Sequence, residues 1–240
     1  MISFIVPAHN EELWIAKCLG SIRTATEKLA EPYEVIVVDD ASTDSTPRIA
    51  EQIGVRVIRV EHRKISAVRN AGAREARGEV FFFVDADTQI NERAVSAALT
   101  ALRSGAAGGG CLFGLNGPVP LWGRIIHFVA SVVGRLIRWV GGCFLFCTAE
   151  AYGAAGGFSE NLYAGEDIAF TRALKKVGRF VVPKPKVVTS GRKLDVVGPW
   201  EVMALMLTIV FRGPRYESKW VRDILYGRRA QDCKKRENAV

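Results

Sequence analysis

Three acidic pairs stand out in the chain: Asp39-Asp40 in VVDDASTDST, Asp85 and Asp87 in VFFFVDADT, and Glu166-Asp167 in AGEDIAF. The middle pair ends a run of five apolar residues. Like charges one residue apart cannot both enter an apolar core, because burying an unpaired charge is too costly. They must be solvated, capped by amides or bound to a cation. Hard divalent cations select oxygen ligands, and magnesium in particular takes a few carboxylates together with substrate phosphates. Asp85 and Asp87 are therefore candidates to anchor a metal that bridges to a diphosphate. A carboxylate of the Asp39-Asp40 turn could accept the ring N–H of uracil or guanine. Arg69 and Asn70 fall in a helix that returns toward the same edge, where a guanidinium could meet phosphate or base; a plain surface arginine is the other reading. Glu166-Asp167 opens a helix with apolar Ile168, Phe170, Leu174 and Val177. Acids there either serve the helix dipole or supply a general base.

These groups need a scaffold, and the first ninety residues describe one. Short apolar runs at 2–6, 35–38, 55–60 and 80–84 read as strands. Between them lie helical stretches: one capped by Asn10 with Glu11 and Glu12 in its first turn, one with Pro47 near its start and Gly54 past its end, and one from Ser66 to Arg77 that stops at Gly78. This alternation predicts an α/β fold, a mostly parallel sheet with helices on both faces. The near-continuous apolar strands agree, since both faces of such a sheet are covered. Ligands of open α/β sheets sit beyond the carboxyl ends of the strands. Three strands here deliver Pro7-Ala8-His9-Asn10-Glu11, Asp39-Asp40 and Asp85-Ala86-Asp87 to that one edge.

The middle of the chain differs. Residues 105–117 are glycine-rich and read as a loop or a flexible strand entry. Residues 121–140 read as a helix with Arg124, His127, Ser131, Arg135 and Arg138 on one narrow face and apolar residues around the rest. It is either a core helix with one solvated stripe or a basic amphipathic helix on a membrane surface or lipid-linked acceptor. The formal net charge is +8 and favours anionic partners. Five cysteines without metal spacing read as reduced thiols. The N-terminus lacks the marks of a signal peptide, and no apolar window is both long and unbroken enough to span a bilayer. A cytoplasmic location is expected, with peripheral contact at the inner face of the membrane as the variant that the basic helix raises.

The stretches IVPAHNEE (5–12), VVDDASTDST (37–46), SAVRNAGAREARGEVFFFVDADT (66–88) and GGCFLFCTAEAYGAAGGFSENLYAGEDIAFTRALKKVGRF (141–180) together resemble a family-2 glycosyltransferase with the GT-A fold. The ordered set covers most of residues 1–182. The resemblance implies transfer of a sugar from a nucleoside-diphosphate donor, UDP or GDP, to an acceptor hydroxyl, usually with inversion. It implies that Pro7, Ala8, Asn10, Glu11 and Asp39 or Asp40 frame the nucleoside. Asp85 and Ala86 would lie near the ribose or metal, and Asp87 would ligate Mg²⁺ or Mn²⁺. Asp167 would be the base, with Glu166 beside it. Arg192 or Lys193, in TSGRK, could fold over the diphosphate as a lid. The expected division is a transferase domain over 1–182, in halves 1–90 and 91–182, and an extension over 183–240 with helical or irregular structure. The acceptor is a hydroxyl compound, a lipid or lipid-linked glycan being one candidate.

Position 9 is His, where the family often has another residue, and no His follows His127 to serve as a later metal ligand. The Q-x-x-R-W signature of processive synthases is absent, which favours single transfers. The glycine signatures of a dinucleotide fold and of a P-loop are also missing. No recognition motif supports nucleic-acid binding. The rival from a different class is a non-catalytic membrane-surface adaptor on a transferase-like fold.

Overall fold

The structure is a computed structural model and describes residues 1–29, 31–117, 119–162, 165–192, 198, 200 and 201. Ten strands and seven helices follow in order among them: β1 (Ile2–Ala8), α1 (Ile15–Thr26), β2 (Tyr33–Asp40), α2 (Thr46–Ile53), β3 (Arg56–Val60), α3 (Ile65–Glu75), β4 (Val80–Val84), β5 (Thr88–Gln89), α4 (Glu92–Arg103), β6 (Gly108–Gly110), β7 (Phe113–Asn116), α5 (Leu121–Leu136), β8 (Phe144–Thr148), α6 (Ala149–Ala154), α7 (Glu166–Val177), β9 (Phe180–Val181) and β10 (Val187–Ser190).

Seven strands form the main sheet in the order β3-β2-β1-β4-β8-β6-β9. The four strands of the first half run parallel, and β8 enters antiparallel to both β4 and β6. Every residue of β1 is buried, as a central strand covered on both faces requires. On one face Phe4 and Val6 pack with Ile15, Leu19 and Ile22 of α1 and Val95 and Leu99 of α4. On the other, Ile5 and Val38 pack with Val68 of α3 and with Phe170 and Leu174 of α7. The fold class expected from the sequence is the one observed.

A three-stranded sheet, β5-β10-β7, stands beside the main one. The ladder between β5 and β10 pairs Thr88 with Thr189. It therefore brings the segment after Asp87 and the segment before Arg192 side by side.

Three local readings change and one that was open is decided. Asn10 caps no helix: its φ is 53°, and α1 starts only at Ile15. The Asn10 side chain is already used by the neighbouring loop, where its Oδ1 accepts the Thr43 N–H at 2.8 Å. The third helix spans Ile65–Glu75, ending before the extended Ala76 rather than at Gly78. Gly108–Gly110 is a buried strand, the strand alternative of the two readings of 105–117, and a Cβ at Gly109 would overlap the Phe146 ring and the Val181 carbonyl. Finally, α5 ends at Leu136, short of 140, and Arg138 has φ 54°. The middle of its polar stripe turns inward, where His127 Nε2 lies 2.8 Å from the Phe113 carbonyl and Arg135 donates to the Lys184 carbonyl at 3.4 Å, while Arg124 and Arg138 stay exposed. The expectation of a core helix with a solvated stripe is thus reversed, since the apolar residues face outward. Lys193 lies outside the described residues, as does most of the extension after it.

Candidate active site

The carboxyl ends of β1, β2 and β4 lie at one edge of the sheet because the three strands are parallel neighbours in register. The loop after β1 is zipped onto the loop after β2. Asn10 N–H donates to Ser42 Oγ at 2.9 Å, and Glu11 N–H donates to Thr46 Oγ1 at 2.7 Å. His9 completes the join. Its Nδ1 lies 2.7 Å from the Asp40 carbonyl and its Nε2 lies 3.0 Å from Arg63 Nη1. A carbonyl can only accept and a guanidinium can only donate, so Nδ1 is the donor to Asp40 and Nε2 the acceptor from Arg63. His9 thus pins two loops together.

The two acids at the end of β2 have different work. Asp40 Oδ1 accepts the backbone N–H groups of His62 and Arg63 at 2.7 and 3.0 Å, which fixes the loop after β3. Asp39 is also buried, but its Oδ1 has no hydrogen-bond partner among the described residues, and its Oδ2 accepts only a long contact from Ser42 N–H at 3.4 Å. A buried acceptor without a donor is costly, so of the two it is Asp39 that is poised for an outside donor. Pro7 and Ala8 are buried at the end of β1 beside it, paired in register with Val38 and Asp39.

Beyond β4, Asp85 N–H donates to the Cys143 carbonyl at 3.1 Å, and Ala86 turns into the core. Arg69, 1% exposed, reaches this point from α3. Its Nη2 donates to Asp85 Oδ1 at 2.8 Å and to the Gly142 carbonyl at 3.1 Å, and its Nη1 donates to Glu166 Oε1 at 3.0 Å. One guanidinium thus joins the acidic end of β4 to the acidic start of α7. Burial works against its charge, but the Asp85 and Glu166 carboxylates outweigh that and hold it. It is not the plain surface arginine of the alternative reading.

The carboxylates opening α7 feel the same burial. Burial first, and the adjacent Asp167 charge second, push Glu166 up to about 7, against the pull of Arg69. Asp167 is likewise raised by burial, with Arg69 and the backbone N–H groups of Ile168 and Gly142 opposing. Gly142 permits the close approach: a Cβ there would lie 3.0 Å from Asp167 Cβ and 3.1 Å from Arg69 Nη2.

Asp87 faces the second sheet. Arg192 Nη2 lies 3.1 Å from Asp87 Oδ2 and 2.5 Å from Glu11 Oε1, and its guanidinium stands 5.9 Å from the Trp14 ring centroid. Thr189 Oγ1 donates to Asp87 Oδ1 at 3.3 Å. Among the described residues no three His, Cys, Asp or Glu side chains converge as a metal cage. Asp87 and the free edge of Asp85 fit instead an ion that completes its shell from a ligand's phosphate oxygens.

The structure therefore brings the predicted residues into two connected groups. Arg69, Asp85, Glu166 and Asp167 form one; Glu11, Asp87 and Arg192 form the other. Asn10 serves the loop and Ala86 the core. Sequence reasoning missed Thr189, Trp14 and the brace around Asn70. Asn70 Nδ2 donates to the Phe158 carbonyl and to Glu160 Oε1, both at 2.8 Å, and its Oδ1 accepts from Tyr152 Oη at 2.7 Å. This brace anchors the loop that leads into α7. Adjacency of Asn70 to Arg69 was the one signal for it.

The model of glycosyl transferase family 2 matches residues 3–137. The chain belongs to glycosyl transferase family 2. It is 31% identical over 144 residues to the dolichol-phosphate mannosyltransferase of Pyrococcus furiosus, covering 56% of this chain and 40% of that one. Over 96 residues it is 36% identical to the glycosyltransferase GlyA of Streptococcus pneumoniae, covering 38% of this chain and 13% of that one. The chain thus spans well under half the length of these relatives. The mannosyltransferase PcManGT of Pyrobaculum calidifontis, solved with GDP-Man and Mn²⁺, superposes with a TM-score of 0.66 at 21% identity, covering 90% of this chain and 65% of that one. Its likeness establishes the GT-A fold for this family-2 chain.

Proposed function

We propose that the chain transfers a sugar from a nucleoside diphosphate, UDP or GDP, to an acceptor hydroxyl with inversion at the sugar carbon. The observation that supports this most is the Arg69 fork, which ties the acids after β4 to the acids opening α7 within one site. Residues 1–182 form the transferase unit in this reading, and Arg192 reaches it from beyond. Asp39, buried with an unpartnered oxygen, accepts the base N–H, with Pro7 and Ala8 walling the base. The diphosphate lies between Asp87 and Arg192. Asp87, assisted by Asp85, would hold a divalent ion, Mg²⁺ or Mn²⁺, which offsets charge on the departing diphosphate. PcManGT, solved with Mn²⁺ and a nucleotide sugar on the same fold, supports that choice.

Asp167 takes the proton from the acceptor hydroxyl. The acceptor oxygen forms its bond to the sugar carbon as the bond to the diphosphate oxygen breaks. The raised affinity of Asp167 for a proton, caused by burial, makes it a stronger base than an exposed aspartate. Arg69 opposes that rise. Glu166 holds Arg69 in place. The acceptor in this reading is a lipid or a lipid-linked glycan.

Asp167→Asn tests the base. Transfer, followed as nucleotide release that depends on acceptor, should be abolished. Nucleotide affinity by calorimetry should stay within about twofold, since the base contacts only the acceptor. Turnover equal to that of the parent would remove Asp167 from the role.

A further inference from the structure

Helix α5 is turned opposite to the usual order of a helix on a globular protein. Leu121, Ile125, Phe128, Val129, Val132 and Leu136 are all exposed, Phe128 at 69% and Leu136 at 78%. At 3.6 residues per turn they fall within an arc of about 100°. The opposite side carries the fully buried Gly123 and Gly134, together with His127, which is bonded to β7. Gly134 lets the helix lie against the Trp139 carbonyl. The apolar face is therefore fixed outward by what holds the other side. Contiguous apolar surface of this kind marks a binding face.

Charge identifies its occupant. No Asp or Glu lies between Glu92 and Glu150, while Arg93, Arg103, Arg124, Arg135 and Arg138 do. Arg124 is exposed at one edge of the apolar arc and Arg138 just beyond its end. Trp122 and Trp139 stand half-buried at the two ends of the segment, the residue type that prefers the level of lipid headgroups. An apolar stripe whose only charged neighbours within 121–138 are arginines matches an anionic bilayer surface. No helix among the described residues is long and apolar enough to cross a membrane, which suits a helix lying in the interface plane.

We infer that α5 is a membrane-docking helix that seats its apolar face in the interface of an anionic lipid bilayer. The Ile137 carbonyl at its end accepts Lys175 Nζ from the last turn of α7 at 3.2 Å, so docking sets the C-terminal end of the helix that carries Asp167 in its first turn near the lipid surface. Vesicle binding itself does not depend on the transferase reading.

The test is co-sedimentation of the full chain with vesicles of phosphatidylcholine alone or with phosphatidylglycerol added. The parent should bind the anionic vesicles and release them in high salt. Combined Phe128→Ser, Val132→Ser and Leu136→Ser leaves every charge in place, including the basic stretch 227–237. It should weaken binding at least about tenfold, because membrane affinity scales with apolar area buried. Combined Arg124→Gln and Arg138→Gln should weaken it several-fold and serves as the independent check if the triple variant misfolds. Parent-like binding by the folded triple variant would overturn the inference, as would a parent that binds neither vesicle. So would a parent that sediments as a dimer which the triple substitution dissociates, since a second copy would then cover the face.

Discussion

Arg69 shows how one buried cation organises a site. It sits on α3 at 1% exposure and donates to two carboxylates from different segments and to one carbonyl. Arg69→Met would leave Asp85 and Glu166 without their countercharge. Removing one partner of a buried pair is far costlier than never having made it, so the variant should lose about 3 kcal/mol in urea unfolding. A loss below about 1 kcal/mol, the value of an exposed pair, would show that the fork is dispensable. Arg69→Lys keeps the charge but not the fork and should recover only part of the loss. The pH response of stability follows from Glu166. Its carboxyl, normally near 4.5, is raised to about 7 in the fold, so between those values the folded chain holds more protons than the unfolded one. Stability from this group is fully present below about 4.5 and is lost as pH rises through 7. Glu166→Gln should therefore flatten the decline in urea midpoint between pH 5 and 7.5 relative to the parent. Parallel slopes in the two proteins would rule Glu166 out as the titrating group.

At the scale of elements, β8 decides how close Asp167, the proposed base, comes to the acids of β4. Val84 pairs with Phe144, and the turn before β8 passes Gly142 between Arg69 and Asp167. Gly142→Ala places a methyl 3.0 Å from Asp167 Cβ. The start of α7 must give by a few tenths of an ångström. Turnover should fall about tenfold or more while stability changes by about 1 kcal/mol, because displacement of a catalytic group costs rate before it costs fold. Unchanged turnover would show that α7 is not held to this register. The same elements mark what the sequence made legible. Residues 80–84 read correctly as a strand because a strand covered on both faces needs no polar alternation. The second helix read correctly because Pro47 and Gly54 act locally, and Gly54 adopts φ 86° at its end. Asn10 misled because its partner, Thr43, is far along the chain. Gly108–Gly110 stayed open between loop and strand because its lack of side chains answers to Phe146 on a neighbouring strand. For α5, periodicity gave two faces but could not say which one the body of the protein would take. The acids at strand ends were legible as a group, yet the division of labour between Asp39 and Asp40 depends on backbone donors at His62 and Arg63.

Across the whole molecule, the site lies where the seven-stranded and three-stranded sheets meet. The Thr88–Thr189 pairing couples them, with the two hydroxyls 3.0 Å apart. Asp87 precedes one strand of that ladder and Arg192 follows the other, so their approach is set by the backbone of both sheets. The Arg192 guanidinium lies against Asp87 Oδ2 and Glu11 Oε1, where it partly neutralises the carboxylate proposed for the metal. A bound diphosphate would draw the guanidinium to itself, since phosphate offers a doubly charged acceptor that suits the fork. Arg192→Gln should then have two opposed effects. Affinity for UDP or GDP should fall about tenfold, the value of one charge-assisted hydrogen bond. The Mn²⁺ concentration that half-saturates the protein without nucleotide should fall, because Asp87 loses a competing cation. Calorimetry with metal alone and with nucleotide plus metal separates the two. A loss in both titrations would mean that Arg192 shapes the site as a whole. No change in either would place the diphosphate elsewhere. Only opposed shifts fit an arginine that trades a carboxylate for a phosphate as the donor enters between the two sheets.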